Sequence, residues 1–168
     1  AKAKIFEADT SNLFTNEFPG EGKKELTEES VNLIVTSPPY GDSHTTVAYG
    51  QFSRYSLIWL GYDNDKTLKI DKKSLGGQQR DKYLESKTLD EVLTKIPNRS
   101  RAKEVKSFFV DLDECLQKLY VSLAEKGYAC FVLGNRTVNE VKIPTDEVIT
   151  ELGRSIGFER IDVIHRRI

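Results

Sequence analysis

Val31–Thr36 reads VNLIVT and runs directly into Ser37-Pro38-Pro39-Tyr40. Six residues, β-branched or apolar with one polar break, have the pattern of a strand buried on both faces of a parallel sheet. Two consecutive prolines then remove two ladder donors and fix φ, so the strand must stop there. Parallel strands need long crossovers, usually helical, which commits the chain to an α/β architecture. In open sheets of this kind, ligands bind outside the carboxyl ends of the strands. Ser37–Tyr40 occupies such an end.

The rest of the chain fits that frame. Lys4–Ala8 (KIFEA) predicts a short strand, with Asp9-Thr10-Ser11 as a turn or cap. Glu25–Ser30 predicts a polar turn or short helix. Gln51–Leu60 is aromatic-rich and predicts a helix ending at Gly61. Phe108, Phe109, Leu112, Cys115, Leu116, Leu119, Tyr120 and Leu123 recur at helical spacing, so Ser107–Glu125 predicts the longest helix, closed by Gly127. Tyr128–Leu133 predicts a second buried strand, stopped by Gly134-Asn135. Thr145–Ile156 predicts a helix with Asp146 and Glu147 in its first turn and Gly157 after its end. Phe158–Arg166 predicts a last strand. The stretch 62–106 is polar and weakly periodic, and reads as an insertion within one domain spanning 1–168.

Charge adds a second constraint. The 168 residues carry 25 Lys+Arg against 26 Asp+Glu, so the whole chain does not attract polyanions. Residues 62–106 nevertheless hold 12 basic and 8 acidic side chains. Lys66, Lys69, Lys72, Lys73, Arg80, Lys82, Arg99, Arg101 and Lys103 make this the basic third. Apolar runs are strand-sized, far below the roughly 18–20 residues of a membrane span. With a charged opening segment and two cysteines, Cys115 and Cys130, read as reduced and buried, a cytoplasmic protein without membrane contact is expected. The chain begins at Ala1, contains no Met and stops after a strand-like segment, which reads as part of a longer chain.

VNLIVTSPPY resembles the catalytic motif of the S-adenosylmethionine-dependent DNA amino-methyltransferases. These enzymes place Ser, Asp or Asn, then Pro-Pro and an aromatic, after a hydrophobic strand. Tyr40–Arg54, YGDSHTTVAYGQFSR, is similar to a bacterial restriction–modification subgroup. The resemblance implies a Rossmann-like class I methyltransferase fold, S-adenosylmethionine as cofactor and double-stranded DNA as partner. It further implies a catalytic set of Ser37, Pro38, Pro39 and Tyr40. The serine form favours cytosine N4 as the target. Adenine N6, an RNA amino group, and a non-catalytic nucleic-acid-binding subunit of the same fold are the alternatives.

Physical chemistry supports that set. An exocyclic amino group is a poor nucleophile because its lone pair is conjugated into the ring. A site that accepts both amino hydrogens turns the lone pair toward the methyl donor. The Ser37 hydroxyl and the Pro38 carbonyl are two such acceptors. The donor is already activated, so positioning supplies most of the catalysis. Tyr40 offers a stacking face for a base flipped out of the duplex.

Other positions follow from the resemblance. Asp9, after KIFEA, and Ser37 would face the cofactor; as a bare sequence feature Asp9 is equally an Asx turn. His44 and Asn135 would line the base pocket, Asn135 being equally a turn-former. Lys72, Lys73 and Arg80 would touch DNA phosphates, which position a duplex without reading it. Neither cysteine follows a proline, so a covalent carbon-5 mechanism lacks its nucleophile. His44 and His165 have no metal-like spacing. The family's glycine-rich cofactor motif, its first two strands and its final hairpin strand have no counterpart here. An incomplete sheet exposes an edge and apolar surface, so a complementing chain or segment carrying that motif is expected.

Overall fold

The computed structural model describes residue 10, residues 27–39, residue 41, residues 49–68 and residues 75–165. The expected strand Lys4–Ala8 lies outside them. Strand β1, Val31–Thr36, has the bounds its apolar run predicts. Helix α1 covers Tyr49–Trp59 and the short α2 covers Asn64–Leu68. Helices α3, Lys87–Lys95, and α4, Arg99–Ser122, come next. Strand β2, Leu123–Phe131, follows without a loop. A tight hairpin of β3, Arg136–Val138, and β4, Val141–Ile143, leads to helix α5, Thr145–Ile156.

β1 and β2 are parallel, with Leu33 opposite Tyr128, Val35 opposite Cys130 and Thr36 opposite Phe131. The register slips between Val31 and Leu33, where Lys126 has φ 63°. The core lies on one side of this ribbon. Leu89 and Val92 of α3, Val105, Phe108, Phe109, Leu112 and Leu116 of α4, Ile143 of β4, and Val148 and Leu152 of α5 are buried together. Phe108 and Phe109 meet edge to face, 5.2 Å between ring centres. Phe131 and Leu133 pack against this cluster.

The structure departs from the sequence pattern in several places. The longest helix starts at Arg99, not Ser107, because Asn98 caps it: its Oδ1 accepts from the Ser100 and Arg101 amides at 2.9 and 3.2 Å. It ends at Ser122, since Leu123 already pairs with Val31. The stretch 62–106 is no bare insertion: Leu84, Leu89, Val92, Ile96 and Val105 all enter the core. Residues 158–165 pair with no strand among the described residues. Phe158 instead stacks edge to face on Tyr120 at 5.0 Å. Alternation makes a segment fit for a strand, but only a neighbouring edge makes it one. Cys130 is exposed and Cys115 half-buried, neither in a disulfide, so the expectation of two buried thiols does not hold. No described helix is long and apolar enough to cross a membrane.

Candidate active site

The site is built where β1 and β2 end side by side. The Val132 amide donates to the Thr36 carbonyl at 2.9 Å, continuing the ladder one step past β2. The Ser37 hydroxyl then donates to the Val132 carbonyl at 3.2 Å. A serine hydroxyl has one proton and two acceptor lone pairs. With its proton held by Val132, Ser37 presents acceptor capacity outward, and the residue is exposed. Pro38 and Pro39 are half-buried, and neither can donate a backbone bond, so they leave the sheet without extending its ladder.

Beyond the prolines the chain returns to the body of the protein. Gly41 is buried against the guanidinium of Arg136: a Cβ built on Gly41 would stand 2.7 Å from Nε and closer still to Cζ. Arg136 opens β3 and is itself buried. Its Cζ lies over the Phe108 ring, 5.4 Å from the centroid, so the cation rests on the core.

Of the residues expected at the site, Ser37, Pro38, Pro39 and Asn135 lie around the ends of the two strands. The exposed Asn135 offers its Oδ1 to the Asp146 amide at 3.4 Å, a weak tie to the first turn of α5. Asp9, Tyr40, His44, Lys72 and Lys73 lie outside the described residues.

Arg80, expected on a DNA phosphate, is exposed and pairs with two carboxylates of α4. Its guanidinium grips Glu114 with both terminal nitrogens at 2.7 Å and Asp111 at 2.8 Å. The hydrogen bonds from Glu114, then Asp111, push its pKa well above the ordinary arginine value. Other cations of the basic third are paired in the same way. Lys82 meets Asp113 at 3.3 Å, Lys106 meets Asp81 and Arg101 meets Glu104. Lys106 holds the Asp81 carboxyl below the usual range. Arg80, Lys82 and Asp81 therefore tie this stretch to α4, while Arg101 and Glu104 pair within the helix. Among the described residues no cluster of His, Cys, Asp and Glu is arranged to hold a metal.

Gly41 and Arg136 were not among the residues expected at the site. A glycine directly after Pro-Pro-Tyr was the available signal, but nothing in the sequence joins it to an arginine so far along the chain.

Against known proteins, no family model matches this chain, and no solved structure matches it. It is similar to the Type II methyltransferase M.MvaI of Kocuria varians, at 39% identity over 159 aligned residues covering 86% of the chain. The chain spans about a third of that relative's length, 35%. Through most of its length, then, this chain is similar to part of a Type II methyltransferase.

Proposed function

We propose that the chain is the catalytic region of a restriction–modification DNA methyltransferase, which moves a methyl group from S-adenosylmethionine to the exocyclic amino group of a flipped base, cytosine N4 by preference. The observation that carries the reading is the Ser37 hydroxyl, its proton engaged by Val132 and its lone pairs outward at the carboxyl end of β1. That is the polarity an amino-hydrogen acceptor needs. The likeness to M.MvaI supports the same class.

In this mechanism Ser37 and the Pro38 carbonyl accept the two amino hydrogens and orient the nitrogen lone pair. Tyr40 stacks on the extruded base. Pro39 keeps the Pro38 carbonyl out of the ladder. S-adenosylmethionine, when bound, supplies an activated methyl sulfonium. The described residues fit the acceptor half of this chemistry better than the donor half: no glycine-rich turn follows β1 or β2 at this end, and Asp9 lies outside them. The donor's cradle is accordingly assigned to a complementing segment or chain, in a cytoplasmic protein acting on double-stranded DNA.

The test is transfer from labelled S-adenosylmethionine to unmethylated DNA, followed by digestion to nucleosides. It is run with this chain alone and with the rest of its gene product or operon. Label in N4-methylcytosine is the expected result. Label in N6-methyladenine would move the target base. DNA binding with no label in any combination would identify a non-catalytic subunit. Ser37→Ala is expected to lower transfer at least 100-fold, on the scale of removing a positioned catalytic contact, with DNA affinity within about threefold. Equal activity in that variant would sink the mechanism.

A further inference from the structure

The loop that carries Ser37 and Pro38 is anchored at both ends, and the second anchor is an arginine. At the first, the Thr36 carbonyl and the Ser37 hydroxyl are tied to Val132. At the second, Gly41 sits on the Arg136 guanidinium with no room for a side chain. Only Pro38, Pro39 and Tyr40 lie between Ser37 and Gly41. Such a short span, with φ fixed at two residues, transmits a shift at either end to the acceptor atoms.

We infer that Arg136 is a positioning residue for amino-methyl transfer: its guanidinium, seated on Phe108, is the platform that sets the position of Ser37 and Pro38 through Gly41. The inference rests on the reading under Proposed function. Arg136 fits the task because its planar head is fixed from several sides. It is 8% exposed, its Cζ is over the Phe108 ring, and its backbone is held in the hairpin opposite Ile143, itself fully buried. A surface arginine would give way to a methyl group by rotating into solvent. This one is buried and lies over the aromatic ring. Gly41 is small where the buried cation lies beneath it, and the pair forms one device.

The two positions should therefore be energetically coupled. In the whole gene product, Gly41→Ala is expected to lower single-turnover transfer by on the order of 100-fold, the cost of an ångström-scale misplacement. DNA affinity should stay within about threefold, and the melting temperature near that of the parent. Arg136→Lys keeps the charge and replaces the plate with a slim, mobile head. In that background Gly41→Ala should cost less than about threefold further, since the Cβ no longer meets a fixed plane. Arg136→Ala extends the same cycle. Undiminished transfer by Gly41→Ala would overturn the proposal, as would losses that multiply independently in the double variants. If the parent protein modifies no DNA or RNA under any condition, the methyltransferase reading fails and takes this one with it. An active parent with either contrary result refutes the platform alone.

Discussion

At the scale of single residues, chemistry and backbone geometry divide the work. Ser37 is chemical in the proposed mechanism: its one proton is held by Val132, so removing the hydroxyl would remove the proposed acceptor and leave the ladder bond from Val132 to Thr36 in place. Gly157 is conformational. It ends α5 with φ 123°, and a Cβ there would lie 2.7 Å from the Tyr120 hydroxyl oxygen. Gly157→Ala is therefore expected to cost about 1–3 kcal/mol, because backbone strain adds to the clash with the ring that stacks on Phe158. Denaturant unfolding of the two proteins checks this, and a change under 0.5 kcal/mol would show that the turn relaxes freely. Gly157 as a helix stop and Ser37 at the end of β1 were both legible in the sequence. Each depends only on immediate neighbours along the chain.

Elements are joined by polar ties as well as by the core. Ser86 caps α3, its Oγ accepting from the Leu89 amide at 3.1 Å. The same hydroxyl donates to Glu151 of α5 at 2.6 Å, and Thr88 gives Glu151 its hydroxyl at 2.6 Å and its amide at 3.1 Å. Burial pushes the Glu151 carboxyl up, but the bonds from Ser86 and Thr88 together outweigh it and leave the group below the ordinary glutamate value. A folded-state pKa lowered in this way stabilises the protein above the unfolded glutamate pKa of about 4.3, and that contribution fades as pH falls through the folded value. Stability should thus hold down to about pH 5 and decline below it. Glu151→Gln should cost about 1–3 kcal/mol at pH 7 and flatten that decline. Urea unfolding at pH 7, 5, 4 and 3 measures both. An acid limb unchanged in the variant would assign the decline to other carboxylates. None of this was legible, because Glu151 and Ser86 belong to elements whose docking angle no local pattern encodes. The extension of α4 back to Arg99 was missed for a related reason: its first turns are polar and only the Asn98 cap announces them.

Across the whole molecule, the sheet is finished on one face only. Leu33, Val35, Tyr128 and Val132 lie on the side away from the core and are 53–66% exposed. Parallel strands are ordinarily covered on both faces, which supports assigning this face to the proposed complementing segment. Val35→Lys is expected to change the chain's own stability by less than about 0.5 kcal/mol, since the site is already wet. It should weaken association with the remaining part of the gene product at least tenfold, the cost of burying an unpaired charge. Light scattering with the two parts mixed tests this, and undiminished association would place the complement elsewhere.

The sequence alone determined β1 to the residue, the α5 span, the α/β class and the serine at the strand's end. Each follows from short-range steric rules: β-branching, proline's fixed φ, the period of an amphipathic helix. Only the tertiary structure decided that Arg80 pairs with Asp111 and Glu114, that residues 84–96 feed the core, and that Arg136 lies beneath Gly41. Those outcomes depend on which distant groups the packing brings within a few ångströms. An arginine's flexible stem is equally able to reach solvent, a phosphate or a carboxylate, and only its neighbours in space choose among them.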